Sequence, residues 1–104
     1  MTTYYNIRTN DISKYWNTTD VIKLLSASNM FKYKNNGCLE CIDEYCFISL
    51  LYVKDFDSYA CPNDFDDEKT NLISVVTSFE LSKKVLDVLK TLAYNLNSRL
   101  VEEE

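Results

Sequence analysis

The sequence predicts an α+β fold: an antiparallel sheet of four to five strands, with a short helix at about 18–28 and a long helix at about 79–102 packed on one face. Three features predict it. Apolar residues recur at helical spacing in two separate stretches. Between those stretches the period drops to two, the alternation of a half-buried strand. Asn35-Asn36-Gly37 interrupts the alternation with the dipeptide that most strongly marks a hairpin.

The elements follow in order. Residues 3–8 are rich in β-formers and read as a first strand. Val21, Leu24, Leu25 and Ser28 then fall at i, i+3, i+4 and i+7, the apolar face of the short helix. Asn17 stands where a cap is needed, Asp20 suits the positive end of the helix dipole, and Asn29 is the stop. Residues 30–34 and 38–42 flank the Asn-Gly turn as paired strands. The almost wholly apolar run 45–53 predicts a central strand covered on both faces. A polar stretch at 54–71, holding the only proline, is the one clear loop, and 72–77 is the next strand.

Ser78 can cap the final helix, whose stripe runs through Leu81, Val85, Leu89, Leu92, Leu96 and Leu100. A helix of that length overhangs a domain this small, which makes Leu92, Leu96 and Leu100 candidate contacts of a homodimer. Glu102, Glu103 and Glu104 would close it where the dipole disfavours acids, and are expected to fray.

Composition sets the outer limits. The 104 residues suffice for one domain spanning 1–104, and a 46% hydrophobic content is that of a folded chain. With a single glycine, backbone positions of positive φ fall to Asn and Asp. Sixteen acids against eleven cations leave a net charge of −5, and the cations are scattered. That balance disfavours direct nucleic-acid binding, which draws most of its non-specific affinity from cations neutralising phosphates. It suits a basic partner protein, such as a nucleic-acid-binding enzyme. The N-terminal residues lack a leader pattern, and no apolar run approaches a membrane span. A cytoplasmic setting is therefore expected (host cytoplasm if the gene is a phage's or virus's), with thiols mostly reduced.

The absences are equally informative. Without histidine there is no Ser-His or Cys-His nucleophilic pair and no His-ligated metal hydrolase. One glycine cannot build a P-loop, a dinucleotide fingerprint or a nucleophile elbow. The expectation is a non-catalytic protein without a cofactor.

Three groups of residues carry specific possibilities. Cys38, Cys41, Cys46 and Cys61 could supply four thiolates to a structural zinc. However, the second pair is widely split, and a strand would point Cys38 and Cys41 to opposite faces, so buried thiols are the favoured reading. The second group is the acidic segment: Asp55, Phe56, Asp57, Tyr59, Asp64, Phe65, Asp66, Asp67 and Glu68. Its acids could steer a basic partner while its aromatics anchor the contact. A plain solvated connection with the rings folded back as a lid on the core is the favoured reading of the segment, and a binding loop the functional one. Third, Tyr4, Tyr5, Tyr15, Trp16, Tyr33 and Tyr45 lack interleaved basic residues and are read as core packing with exposed hydroxyls, not base-stacking residues.

The combined expectation is a small acidic protein that binds and inhibits a partner. The Asn-, Lys-, Ile-, Tyr- and Asp-heavy composition suits an AT-rich genome and hence a phage or viral anti-defence inhibitor of the anti-CRISPR kind. A bacterial immunity protein against a nuclease toxin has the same attributes. A zinc-stabilised structural or regulatory domain and a homodimeric scaffold are the alternatives from other classes.

Overall fold

The computed structural model of the chain describes residues 2–57, 63–78 and 81–103. It is α+β, with an antiparallel sheet and two helices, as the alternating periods predict. In chain order the elements are β1 (Thr3–Arg8), β2 (Trp16–Asn17), α1 (Thr18–Ala27), β3 (Phe31–Tyr33), β4 (Cys38–Cys41), β5 (Cys46–Leu51), β6 (Lys69–Thr70), β7 (Leu72–Thr77), α2 (Lys83–Asn95) and β8 (Val101–Glu103). The main sheet has six strands in the order β3-β4-β5-β7-β1-β8, more than the four to five expected, and β2 pairs with β6 in a separate two-stranded ribbon.

Local chemistry explains most boundaries. Asn17 caps α1 by accepting from the Asp20 backbone N–H at 3.2 Å. Asn29 leaves that helix at φ 61. Asn36 and Gly37 (φ 48 and 77) supply the left-handed pair that a type I′ turn requires, and Cys38 N–H closes it on the Asn35 carbonyl at 2.8 Å. All three described non-glycine residues with positive φ are asparagines, the substitution expected in a chain with one glycine.

Register fixes which side chains share a face. Phe31, Leu39, Cys41, Cys46, Ile48, Leu50, Ile73, Val75, Tyr5 and Ile7 face one way and are buried. Both helices cover that face, α1 through Val21 and Leu25 and α2 through Val85, Leu89, Leu92 and Ala93. The opposite face carries no helix. Only its far end is roofed, where Ile12 and Phe56 pack on Leu51, Val53 and Leu72.

The C-terminal helix is the main correction. It has 13 residues, not the two dozen that the apolar stripe suggested, and it is capped by Ser82 rather than Ser78. Asn97 adopts φ 56, its N–H bonds the Tyr94 carbonyl at 3.0 Å, and Ser98 N–H bonds the Ala93 carbonyl at 2.8 Å. That pair of bonds is a Schellman ending, here with asparagine in the usual glycine position. The chain then doubles back, so residues 101–103 pair with β1 as an edge strand instead of fraying from a helix. The overhang proposed for a dimer is thereby removed: Leu92 is buried in the chain's own core, and Leu96 and Leu100 pack against it.

Candidate functional site

The helix-free face of the sheet is the surface with the clearest recognition chemistry. Pairing places Lys32, Glu40, Phe47, Val76, Tyr4 and Glu103 in one row across six strands. Its centre is apolar and its ends are charged, the arrangement of an interface core within a polar rim. Phe47 is 38% exposed, Tyr4 47% and Tyr45 60%, and the Tyr45 and Phe47 rings meet edge-to-face at 4.9 Å. These aromatics keep their apolar area in water because no helix lies above them.

The next row is small and mostly polar, Cys38, Ser49, Ser74 and Asn6, and ends on the apolar Val101. It forms a lower floor beside the aromatic row. Asn6 is 5% exposed, and its Nδ2 donates to the Glu103 carboxylate, while its Oδ1 has no hydrogen-bond partner among the described residues. A buried acceptor without a donor is costly, roughly 1–3 kcal/mol. At the roofed end, the Arg8 guanidinium lies 5.3 Å from the centre of the Phe56 ring.

The acidic segment borders this face. Phe56 packs on Leu51, Val53 and Leu72. Phe65 lies against Gly37, so close that a Cβ there would stand 2.5 Å from its Cδ1. Both rings are therefore turned inward and hold the segment to the body. Tyr59 lies outside the described residues. The backbone is held by its own acids: Asp55 accepts from Asp57 N–H at 2.9 Å, and Asp66 from Glu68 and Lys69 N–H at 2.8 and 2.9 Å. The Asp64 carbonyl accepts from Tyr52 N–H, and the Glu68 carbonyl from Thr18 N–H. Asp55, Asp57, Asp67 and Glu68 are exposed and form no ion pair among the described residues. Lys69, the nearest cation in sequence to Glu68, is drawn instead over the rings of Tyr15 and Tyr52 at 5.0 and 5.6 Å. Among the described residues, the acids at 55–57 and 64–68 thus form a negative surface on backbone held by these bonds.

The cysteines are divided between the faces. Cys38 is half-exposed on the helix-free side, whereas Cys41 and Cys46 are buried on the core side, and Cys61 lies outside the described residues. No group of three or more potential ligands for a metal occurs among the described residues. Burial pushes the Cys46 thiol up from 9.0 to about 12, and the nearby Cys41 and Glu44 reinforce the shift. A thiol whose folded-state pKa is raised stabilises the fold fully below its unfolded value, and that contribution is lost as pH climbs from 9.0 towards 12. In the native protein at about pH 8, Cys38 is expected to be alkylated and Cys46 protected, since the thiolate is the nucleophile. Peptide mapping by mass spectrometry reads this directly, and equal labelling of the two would contradict the burial argument.

Of the aromatics read as core packing, Tyr5 is buried and Trp16 partly so, its indole N–H donating to the Leu96 carbonyl at 3.1 Å. Tyr4, Tyr15, Tyr33 and Tyr45 are instead exposed. Phe47, Asn6 and Ser74 were not singled out by sequence reasoning. Phe47 sits in a run so apolar that alternation was invisible, and only the register reveals that it faces outwards. No helix of the described residues is long and apolar enough to cross a membrane.

The fold and this surface define an α+β chain with an open, aromatic-bearing sheet face. Comparison with known proteins finds no match among family models, curated proteins or solved structures.

Proposed function

We propose that this chain is a non-catalytic inhibitor that binds a basic partner protein on the helix-free face of its sheet. The observation that carries the reading is the exposed group Tyr4, Tyr45 and Phe47 around half-buried Val76, framed by Glu40 and Glu103 and bordered by the Asp55–Asp57 turn. Aromatic side chains of this kind supply most of the binding energy at protein interfaces, and surrounding acids steer a basic partner and speed its approach. The partner class is an enzyme that handles nucleic acid, because its own substrate site is basic. Carboxylates at Asp55, Asp57, Asp67 and Glu68 can occupy such a site as phosphates do. The AT-rich composition supports a phage or viral anti-defence setting, with an immunity protein as the alternative.

The test is affinity capture from host lysate with three baits: wild type, Tyr4→Ala/Phe47→Ala, and Asp55→Asn/Asp57→Asn/Asp67→Asn/Glu68→Gln. A basic enzyme recovered by the wild type should be lost with the aromatic variant, since a lost anchor worth about 2 kcal/mol weakens affinity roughly 30-fold. With the acid variant its recovery should fall most at low salt. Recovery of the bait alone, or of one partner equally by all three baits, overturns the proposal.

A further inference from the structure

Two arginines 91 positions apart in the sequence line one cleft of about 460 Å³ at the end of β1. Its other polar walls are Thr9, Asn10, Asn97 and Ser98. The cleft lies within the size range of small-ligand sites, ~300–1,000 Å³. Its walls are fixed before any ligand arrives. Ser98 Oγ donates to the Arg8 carbonyl at 2.5 Å, Thr9 N–H donates to the Asn71 carbonyl at 3.1 Å, and Thr9 Oγ1 donates to the Asp11 carbonyl at 2.8 Å. The Schellman ending of α2 holds Asn97 and Ser98 on the opposite side.

What remains without a hydrogen-bond or ion-pair partner among the described residues is a set of N–H donors, with the Arg8 guanidinium also lying over the Phe56 ring at 5.3 Å. Neither Arg8 nor Arg99 forms an ion pair among the described residues, although the chain carries sixteen acids. The carboxamides of Asn10 and Asn97 have no side-chain hydrogen bond there either. Two guanidinium forks and two amide NH2 groups offer more donors than one carboxylate can accept, and they match the three or four oxygens of a phosphate group. We propose that this cleft is a phosphate-binding site, accepting the phosphate of a small phosphate ester between Arg8 and Arg99. A neighbouring cleft of about 240 Å³ shares Thr9, Asn10 and Asn97 and reaches Tyr15 and Trp16. The ester's organic part has an aromatic wall on that side.

The site can be tested apart from the inhibitor reading through Arg99, Asn10 and Asn97, which belong to neither the aromatic row nor the acidic segment, although Arg8 also meets Phe56 and Val101 lies on the helix-free face. Its test is an NMR titration of the whole chain with inorganic phosphate, with acetate as the carboxylate control and adenosine monophosphate as the ester. Saturable shifts confined to residues 8–10 and 97–101 are expected with phosphate. Tighter binding of the ester, with added shifts at Tyr15 and Trp16, would show that the neighbouring cleft takes part. Arg99→Gln, at an exposed position with no ion pair or side-chain hydrogen bond among the described residues, should weaken phosphate binding about tenfold while leaving the melting temperature unchanged. No saturable shift with phosphate, equal shifts with acetate, or full binding by Arg99→Gln would each overturn the assignment.

Discussion

Replacing Asn71 by leucine is expected to destabilise the protein by about 4 kcal/mol, the larger part of the margin on which many small domains rest. Asn71 is wholly buried between β6 and β7, and its side chain makes three bonds. Oδ1 accepts from Val53 N–H at 2.9 Å, and Nδ2 donates to the Val53 and Ile12 carbonyls at 2.9 and 3.2 Å. Its backbone adds bonds to Leu51 and Thr9. The side chain thus ties the segments that follow β1 and β5 to the start of β7, while the backbone bonds to Leu51 and Thr9 survive the substitution. Leucine has nearly the same volume, so packing survives, but the Val53 N–H and C=O are left buried without partners. Urea unfolding measures the loss, and a change under about 1 kcal/mol would show that these groups find other partners. Asn71→Asp separates the components further. It keeps the acceptor, retains at most one donor and only while protonated, and buries a carboxyl, whose folded-state pKa must rise. Its stability should therefore be greatest in acid and fall as pH rises past the ordinary carboxyl value of about 4.

Gly37→Ala is expected to cost roughly 2–4 kcal/mol, from two sources. At φ 77 any side chain is strained, and the added Cβ would stand 2.5 Å from Phe65 Cδ1 and 3.0 Å from the Leu50 carbonyl oxygen. Phe65 can move and the β5 backbone cannot, so the ring should be expelled and the acidic segment loosened with it. Limited proteolysis at 63–68 should then accelerate, while β1 to β5 stay protected from hydrogen exchange. A double-mutant cycle isolates the clash. Adding Phe65→Ala to Gly37→Ala should cost less than the two single changes summed, and strict additivity would mean that the two residues are not in contact.

Much of the fold could be read from the sequence where local chemistry decides. Asn17 before Val21 and Leu25 fixed the start of α1, and Asn35-Asn36-Gly37 fixed the β3–β4 turn. The end of α2 was misread because Leu96 and Leu100 continue a helical spacing after the helix has stopped. The stop was written in Asn97, a weak signal in most chains and a stronger one where glycine is nearly absent. Val101-Glu102-Glu103 has little strand character of its own and becomes β8 only because β1 offers an open edge. The helix-free face of the sheet was harder still. Hydropathy scores Phe47 and Ile48 alike, although one faces water and the other the core. The Arg8–Arg99 cleft has no local signature at all.

The position of β1 bears on how the chain is made. Its partners are β7 and β8, so on the ribosome this strand has neither of them to pair with until residues 72–77 follow. At ~5–20 residues per second that delay lasts several seconds, during which Tyr5, Ile7 and the whole unpaired strand stand exposed. The hairpin of β3 and β4 can close long before, and β5 can add to it. Synthesis therefore passes through a half-sheet whose β5 edge awaits β7, a species open to nascent-chain chaperones and to pairing with its neighbours on a polysome.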